Sequence, residues 1–474
     1  MTTTRVFLES KSHSHALNVH TSRRPLRILR SRFCQRLACA ILVLVGIQSW
    51  LLHSEYREAL ADKYSPTLFT RLSRQDKDLF TSSRWHLGVG DQYMERQGLL
   101  QNKGQWKALG SGYEGDTFAY NGSVIKVFKP GRSPLRNCIP GISSPKMQWP
   151  PEIPVSLLLG GLRDTRDSAP TISAQSNFVP VHDYFFLPTP QSPHLGEWYL
   201  VTPFLKSGTL EHLAKRLQRQ DLPMTPDELD IQFRPSFNRL LQALHTMHAE
   251  HDLCHDDIKM DNVFIASQMQ PSETTSSSPV LPGDEEAHWM IADLGNARQP
   301  SHKYHSSLLW THDNDQHPDC RVNDVVRLVK SYMSFLQSAS SAKKGAFNEP
   351  FLTAAAPWSQ LYWYTVNSAR HVLRGATAAQ QVREMSGNAF APSSTASDEL
   401  RATSKIESAD NKERDGDIHK FARPILEATW SGFGGSARKA FMVRRELKAG
   451  MSVSEKWAKI FGTMGFLSTP SHSC

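Results

Sequence analysis

Eight consecutive residues, His255-Asp256-Asp257-Ile258-Lys259-Met260-Asp261-Asn262, carry the densest chemistry in the chain. At this spacing an Asp can accept a proton, a Lys can neutralise phosphate charge, and an Asn carbonyl oxygen can hold a metal ion. A further carboxylate, Asp293, follows the apolar run 289–292 and precedes Gly295. A strand-end Asp before a glycine turn suits Mg²⁺. Upstream, Gly110, Gly112 and Gly115 form a G-x-G-x-x-G with a strand-like run on each side. Glycines there let backbone N–H groups approach phosphate oxygens without a Cβ in the way. A strand rather than a helix follows them, which separates the motif from a dinucleotide fingerprint. Lys126 lies in Val124-Ile125-Lys126-Val127-Phe128, where alternation puts its ammonium on an apolar face in need of an anionic partner. Each feature alone has a bland reading: a glycine-rich hairpin, a snorkelling edge lysine, a polar loop, a chance tripeptide.

These groups need elements to position them. Asn121-Gly122 between two apolar runs predicts a tight hairpin, because both turn residues tolerate positive φ. The run 200–210 reads as a strand that passes through a linker into a helix start. Phe237, Leu240, Leu241, Leu244 and Met247 recur at helical spacing just before the polar octet, and Val322, Val325, Val326, Val329 and Met333 do so after Asp293. Residues 267–287, 337–345 and 376–417 read as disordered by composition.

In this order the motifs resemble the eukaryotic protein kinase superfamily, over roughly residues 105–333, about half of the chain. The resemblance implies a bilobal α+β fold, with a small antiparallel β lobe carrying one helix and a larger, mainly α lobe. It implies an active phosphotransferase that uses ATP and Mg²⁺. Gly110, Gly112 and Gly115 match the loop over the ATP phosphates, and Lys126 matches the lysine on the α and β phosphates. Glu152 is the candidate ion-pair partner of Lys126, at the very start of its helix because Pro154 follows. Pro203 and Leu205 match the hinge that holds adenine through a C=O and an N–H. Asp257 matches the catalytic base, Lys259 the lysine steadying the γ-phosphate, and Asn262 and Asp293 the magnesium ligands. Asp324 matches the aspartate that opens the central helix of the large lobe. The Lys two residues after the catalytic Asp favours a protein serine or threonine as acceptor.

Three departures qualify the match. Asp256 stands where an arginine usually receives an activation-loop phosphate, and an aspartate would repel one. Leu294 stands for phenylalanine. No Ala-Pro-Glu triplet lies between Asp293 and Asp324, which shortens the segment that usually seats a peptide. These departures keep open a pseudokinase or scaffold on a kinase-like fold, and a small-molecule kinase.

The remaining chain sets the context. It has 474 residues, 39% of them hydrophobic, with 11 Trp and 22 Phe, enough to exclude a wholly disordered polypeptide. Mean hydropathy is -0.43 with one long apolar run, which excludes a polytopic membrane protein. The net charge is +8. Residues 1–36 hold eight Lys/Arg and one acid, so the rest is nearly neutral and a nucleic-acid groove is not indicated. Residues 37–52 are uncharged and read as a transmembrane helix or signal anchor. The arginines before them place the amino terminus in the cytosol and the kinase-like part lumenal or extracellular, a type II arrangement. A cleaved signal and a mitochondrial presequence before an inner-membrane span are the other readings. The predicted organisation is a basic tail (1–36), the span (37–52), a stalk (53–103), a small lobe (104–205), a large lobe (206–375), a disordered segment (376–417) and a helical segment packed on the large lobe (418–474). Six cysteines without a CxxC pair suggest neither a disulfide scaffold nor zinc. In a lumenal setting Cys138, Cys254, Cys320 and Cys474 could pair, with Cys254 read as a small buried apolar residue.

Overall fold

The computed structural model describes residues 32–63, 65, 67, 91–112, 115–128, 137–138, 148–162, 177–189, 192–219, 224–266, 288–311, 314, 316–340, 345–388 and 435–448. The chain divides after Glu55. Helix α1, Arg32–Lys63, runs unbroken for 32 residues. It crosses the expected boundary at residue 52 because seven of the nine residues from Glu55 to Lys63, all but Tyr56 and Asp62, are good helix formers. Among the described residues it supplies one stretch long and apolar enough to span a membrane.

From Tyr56 onward the chain is α+β. Helix α2 (Asp91–Gln101) precedes strands β1 (Lys107–Ser111), β2 (Gly115–Tyr120) and β3 (Ser123–Phe128). Two short strands follow, β4 (Asn137–Cys138) and β5 (Gln148–Trp149), then helix α3 (Glu152–Gly160) and strands β6 (Asp183–Thr189) and β7 (Ser192–Pro203). The main sheet is antiparallel, in the order β1-β2-β3-β7-β6. Asn121 and Gly122 turn the β2–β3 hairpin at φ 44° and 73°, as their residue types predict.

The second half is mainly helical. It comprises α4 (Leu210–Gln218), α5 (Pro226–Ala249), the hairpin β8 (Val263–Ala266) and β9 (His288–Ile291), a short helix α6 (Leu308–Thr311), and α7 (Cys320–Ala339). Helices α8 (Gly345–Thr353), α9 (Pro357–His371), α10 (Ala378–Gly387) and α11 (Gly435–Glu446) complete it. Thr225 caps α5 through a capping box with Glu228, which fixes where that helix starts. The apolar stripe of α5 meets that of α7, and Leu240, Leu241, Leu244, Val325 and Val329 are buried together.

Several boundaries differ from the sequence reading. The stalk is not free. Ala59 and Leu60 are buried against Tyr304, Leu309 and Trp310, and Leu99 and Leu100 of α2 pack on the sheet cluster. Arg96 of α2 donates to Asp183 from Nε at 2.7 Å and Nη2 at 2.5 Å. Two small apolar residues among charges do not register in a composition scan, yet they are enough to seat a helix end. Residues 376–388 are ordered as a 3-10 turn and α10, since Ala378, Ala379 and Val382 reach the core and Arg234 Nη1 donates to Ser386 Oγ at 3.0 Å. Residues 337–339 complete α7 rather than opening a loop. In the terminal segment Val443 of α11 and Leu447 just after it pack on the helical part, while Tyr362 donates to Glu446 Oε1 at 2.8 Å. The expected insertion 267–287, the segment 389–417 and the aromatics Trp430, Phe433 and Trp457 lie outside the described residues.

Cys254 is buried as expected, but it is not a free apolar side chain: its sulfur is bonded to Cys320 at the start of α7. The bridge closes a separation of 66 residues, and constraining a loop of that size contributes roughly 4 kcal/mol. Cys320→Ser is therefore expected to lower stability by about that amount in chemical denaturation. The unaltered protein under reducing conditions should match the variant, and equal midpoints with and without reductant would refute the bridge.

Candidate active site

A cleft of about 1270 Å³ lies between the sheet and the helical part, lined among others by Gly110, Lys126, Pro203, Asp257, Asn262 and Asp293. Gly112, Gly115, Glu152, Leu205 and Lys259 line it too, so every site residue expected from the sequence reaches one cavity.

Lys126 is held in mid-strand, opposite Thr117 of β2 and Leu200 of β7. Its Nζ donates to the carboxylate of Glu152, which sits in the first turn of α3, and to Asp293 Oδ1 at 3.3 Å. An ammonium on an apolar face thus finds two anions. The Pro154 that starts α3 early does not prevent the Lys126–Glu152 contact. Asp293 leaves β9 in the left-handed region, φ 59°, a conformation Asp adopts more readily than most residues. The nearby Lys126 ammonium holds the Asp293 carboxyl below the usual carboxylate range, against the opposing effect of burial, with help from Lys259 and His255.

The polar octet is shaped by its own hydrogen bonds. Lys259 Nζ donates to Asp257 Oδ2 at 2.8 Å, and Asn262 Nδ2 to the Asp257 carbonyl at 2.9 Å. Burial works against the charge on Lys259, yet Asp257 outweighs it and the ammonium pKa is raised. The Ala292 N–H donates to the Asn262 carbonyl at 2.9 Å, which locks this turn to the strand end that carries Asp293. Asp324 of α7 accepts the backbone N–H groups of His255 at 2.7 Å and Asp256 at 3.0 Å, so the expected structural role of that residue has a concrete geometry.

The glycines divide into two kinds. A Cβ on Gly115 would lie 2.2 Å from the Val127 carbonyl oxygen, so close strand approach already demands glycine there. At Gly110 and Gly112 a Cβ would meet ordinary contacts of 3.5 and 3.8 Å. Among the described residues, neighbouring protein atoms give no reason for glycine at these two positions.

Asp256 finds partners that no local sequence signal names. This carboxylate is buried and meets Arg298 Nη1 at 2.9 Å and His305 Nε2 at 2.9 Å, both from the segment after Asp293. Burial opposes the charge on His305, but the attraction and hydrogen bond of Asp256 prevail and raise its pKa above the ordinary 6.5. The imidazole therefore binds its proton more tightly folded than unfolded. Its stabilisation is complete below 6.5 and is lost as pH climbs through the raised folded value. Thermal stability should fall as pH rises above about 6.5, and His305→Gln should flatten that limb of the curve. An unchanged slope in the variant would remove His305 from the account. An acidic residue at position 256 was itself the signal that basic residues belong in the later segment.

No family model matches this chain, and no curated protein matches it.

Proposed function

We propose that this chain is a membrane-anchored member of the eukaryotic protein kinase superfamily that transfers the γ-phosphoryl of ATP to a hydroxyl, most readily of a protein serine or threonine. The observation that carries the reading is the convergence of Lys126, Asp257, Asn262 and Asp293 on one cleft, with Lys126 Nζ 3.3 Å from Asp293 and Asn262 donating to the Asp257 backbone at 2.9 Å. The roles follow from position. Gly110 and Gly112 leave room for phosphate oxygens, and Lys126 supplies positive charge beside them. Pro203, at the end of β7, and Leu205, two residues further on, offer a C=O and an N–H to the adenine edge. Asn262 and Asp293 are the oxygen donors that fit Mg²⁺, which when bound neutralises charge on the transferring phosphoryl. Asp257 orients the acceptor hydroxyl and takes its proton. Lys259, already paired with Asp257, balances charge on the same side. The bilobal kinase fold belongs to this proposal, supported by a five-stranded antiparallel sheet with α3 on one side of the cleft and the α5–α7 core on the other.

A second reading, transfer to a small hydroxylated acceptor, has one observation in its favour. Tyr304, Leu309 and Trp310, which follow Asp293, are buried against Ala59 and Leu60 and offer no open apolar seat for a peptide. Detergent-solubilised full-length protein supplied with γ-labelled ATP, Mg²⁺ and a lumenal extract separates the readings. Label in the protein fraction supports the first, and label in the small-molecule fraction supports the second. Label in neither leaves a scaffold on a kinase-like fold.

The Cys254–Cys320 bridge supports an oxidising compartment for residues 56–474 and, with the arginine-rich flank, the type II orientation. These residues should survive protease treatment of sealed microsomes and be digested once detergent is added. Digestion of sealed vesicles would reverse the orientation, and import into mitochondria would favour the inner-membrane alternative.

A further inference from the structure

Around Asp256 the charges are arranged in the opposite sense to the one the family resemblance implies. The carboxylate lies on the catalytic loop, and the cations lie on the segment that follows Asp293. Arg298 reaches Asp256 Oδ2 through Nη1 at 2.9 Å, and His305 Nε2 lies 2.9 and 3.2 Å from the two carboxylate oxygens. The backbone of the segment is tied in as well. Arg298 N donates to the Cys254 carbonyl at 3.0 Å, and Cys254 N donates to the Arg298 carbonyl at 2.7 Å. From α7, Arg327 donates to the Asp256 carbonyl and to Gln316 Oε1, the latter at 2.8 Å. From α1, the Lys63 carbonyl accepts Arg298 Nη2 at 3.0 Å, and the Lys63 ammonium lies 5.6 Å from the Tyr304 ring. Asp256, Arg298, His305 and Arg327 are each at most 4% exposed. A buried charge persists only when it is paired and hydrogen-bonded, so the four groups are mutually dependent.

We infer that Asp256, Arg298 and His305 form a permanent clamp that holds the segment after Asp293 against the catalytic loop without any phosphate, with the end of α1 built into it. This deepens the proposed kinase reading and rests on it for its catalytic consequence. Asp256 is then a positioning residue. It occupies the left-handed region at φ 65°, its N–H is held by Asp324, and the next residue is Asp257. Loosening the clamp should therefore misplace Asp257 and lower kcat, while the nucleotide side of the cleft, built on Lys126 and the hinge, is untouched.

The test uses full-length protein in detergent, with hydrogen exchange read at 294–311 and at α5 as the folding reference, alongside kcat and the KM for ATP. Asp256→Asn should speed exchange in 294–311 by about tenfold or more, leave α5 unchanged, and lower kcat by about tenfold at a near-constant KM. Asp256→Glu should recover part of both losses. Prior phosphatase treatment of the unaltered protein should change neither quantity. If Asp256→Asn also loosens α5, then Arg298→Lys and His305→Gln decide by the same readings. Unchanged exchange at 294–311 in these variants, or loosening of the unaltered segment by phosphatase, overturns the clamp. Loss of protection in a chain that transfers no phosphoryl at all sinks the kinase reading and leaves the clamp. Normal transfer with normal protection sinks the clamp alone.

Discussion

Asp257→Asn is expected to lower phosphoryl transfer by about 10²- to 10⁴-fold while the protein stays folded and still binds Mg·ATP. The substitution is nearly isosteric. Of the contacts that shape the turn here, Asn262 Nδ2 on the Asp257 backbone carbonyl at 2.9 Å is kept, while the Lys259 ammonium, 2.8 Å from Asp257 Oδ2, keeps an amide oxygen to donate to but loses the opposite charge. The side chain is only partly buried, so no large desolvation change follows. What disappears is the oxygen that can take a proton from an acceptor hydroxyl. Steady-state transfer, with melting curves taken with and without Mg·ATP, checks both halves. A variant that transfers at an undiminished rate would show that Asp257 is not the base.

Asp293→Asn should have a comparable effect by a different route. Asp293 presents a full negative charge, held ionised by Lys126, at the mouth of the strand end locked to Asn262. Asparagine also tolerates positive φ, so the backbone at 59° is not penalised and the change is one of charge alone. ATP at about a hundred times its Kd should stabilise the unaltered protein by about 2.7 kcal/mol when Mg²⁺ is present. In the variant the part of that gain that needs Mg²⁺ should vanish, and turnover should fall by about 10³-fold. A Mg²⁺-dependent shift of equal size in the variant would place the metal elsewhere.

Local signals proved legible where residue type dictates conformation. Asn121-Gly122 marked a hairpin because few other pairs turn so tightly, and the stripes in α5 and α7 marked helices because a buried face must repeat at helical spacing. The cleft residues were legible because each chemistry needs a specific functional group. Pairing across distance was not. Nothing local in Ala59 and Leu60 announces that they seat the end of α1 under Trp310, and nothing in Cys254 names Cys320, 66 residues away. The helix at 378–387 hid for a related reason: its fully buried contacts are two alanines and one valine, too small an apolar face to stand out among polar neighbours. Asp256 shows the intermediate case. The sequence announced an anomaly at one position, and the answer to it lay in two residues, Arg298 and His305, that carry no motif of their own.

The central claim is that a nucleotide lies in this cleft with its phosphates beside Lys126. An adenosine derivative bearing a sulfonyl fluoride where the terminal phosphates would lie, reacted with the unaltered full-length protein and mapped by peptide mass spectrometry, tests it directly. The account predicts modification at Lys126, suppressed by Mg·ATP. Modification only at other lysines, or modification of Lys126 that ATP does not suppress, would contradict it.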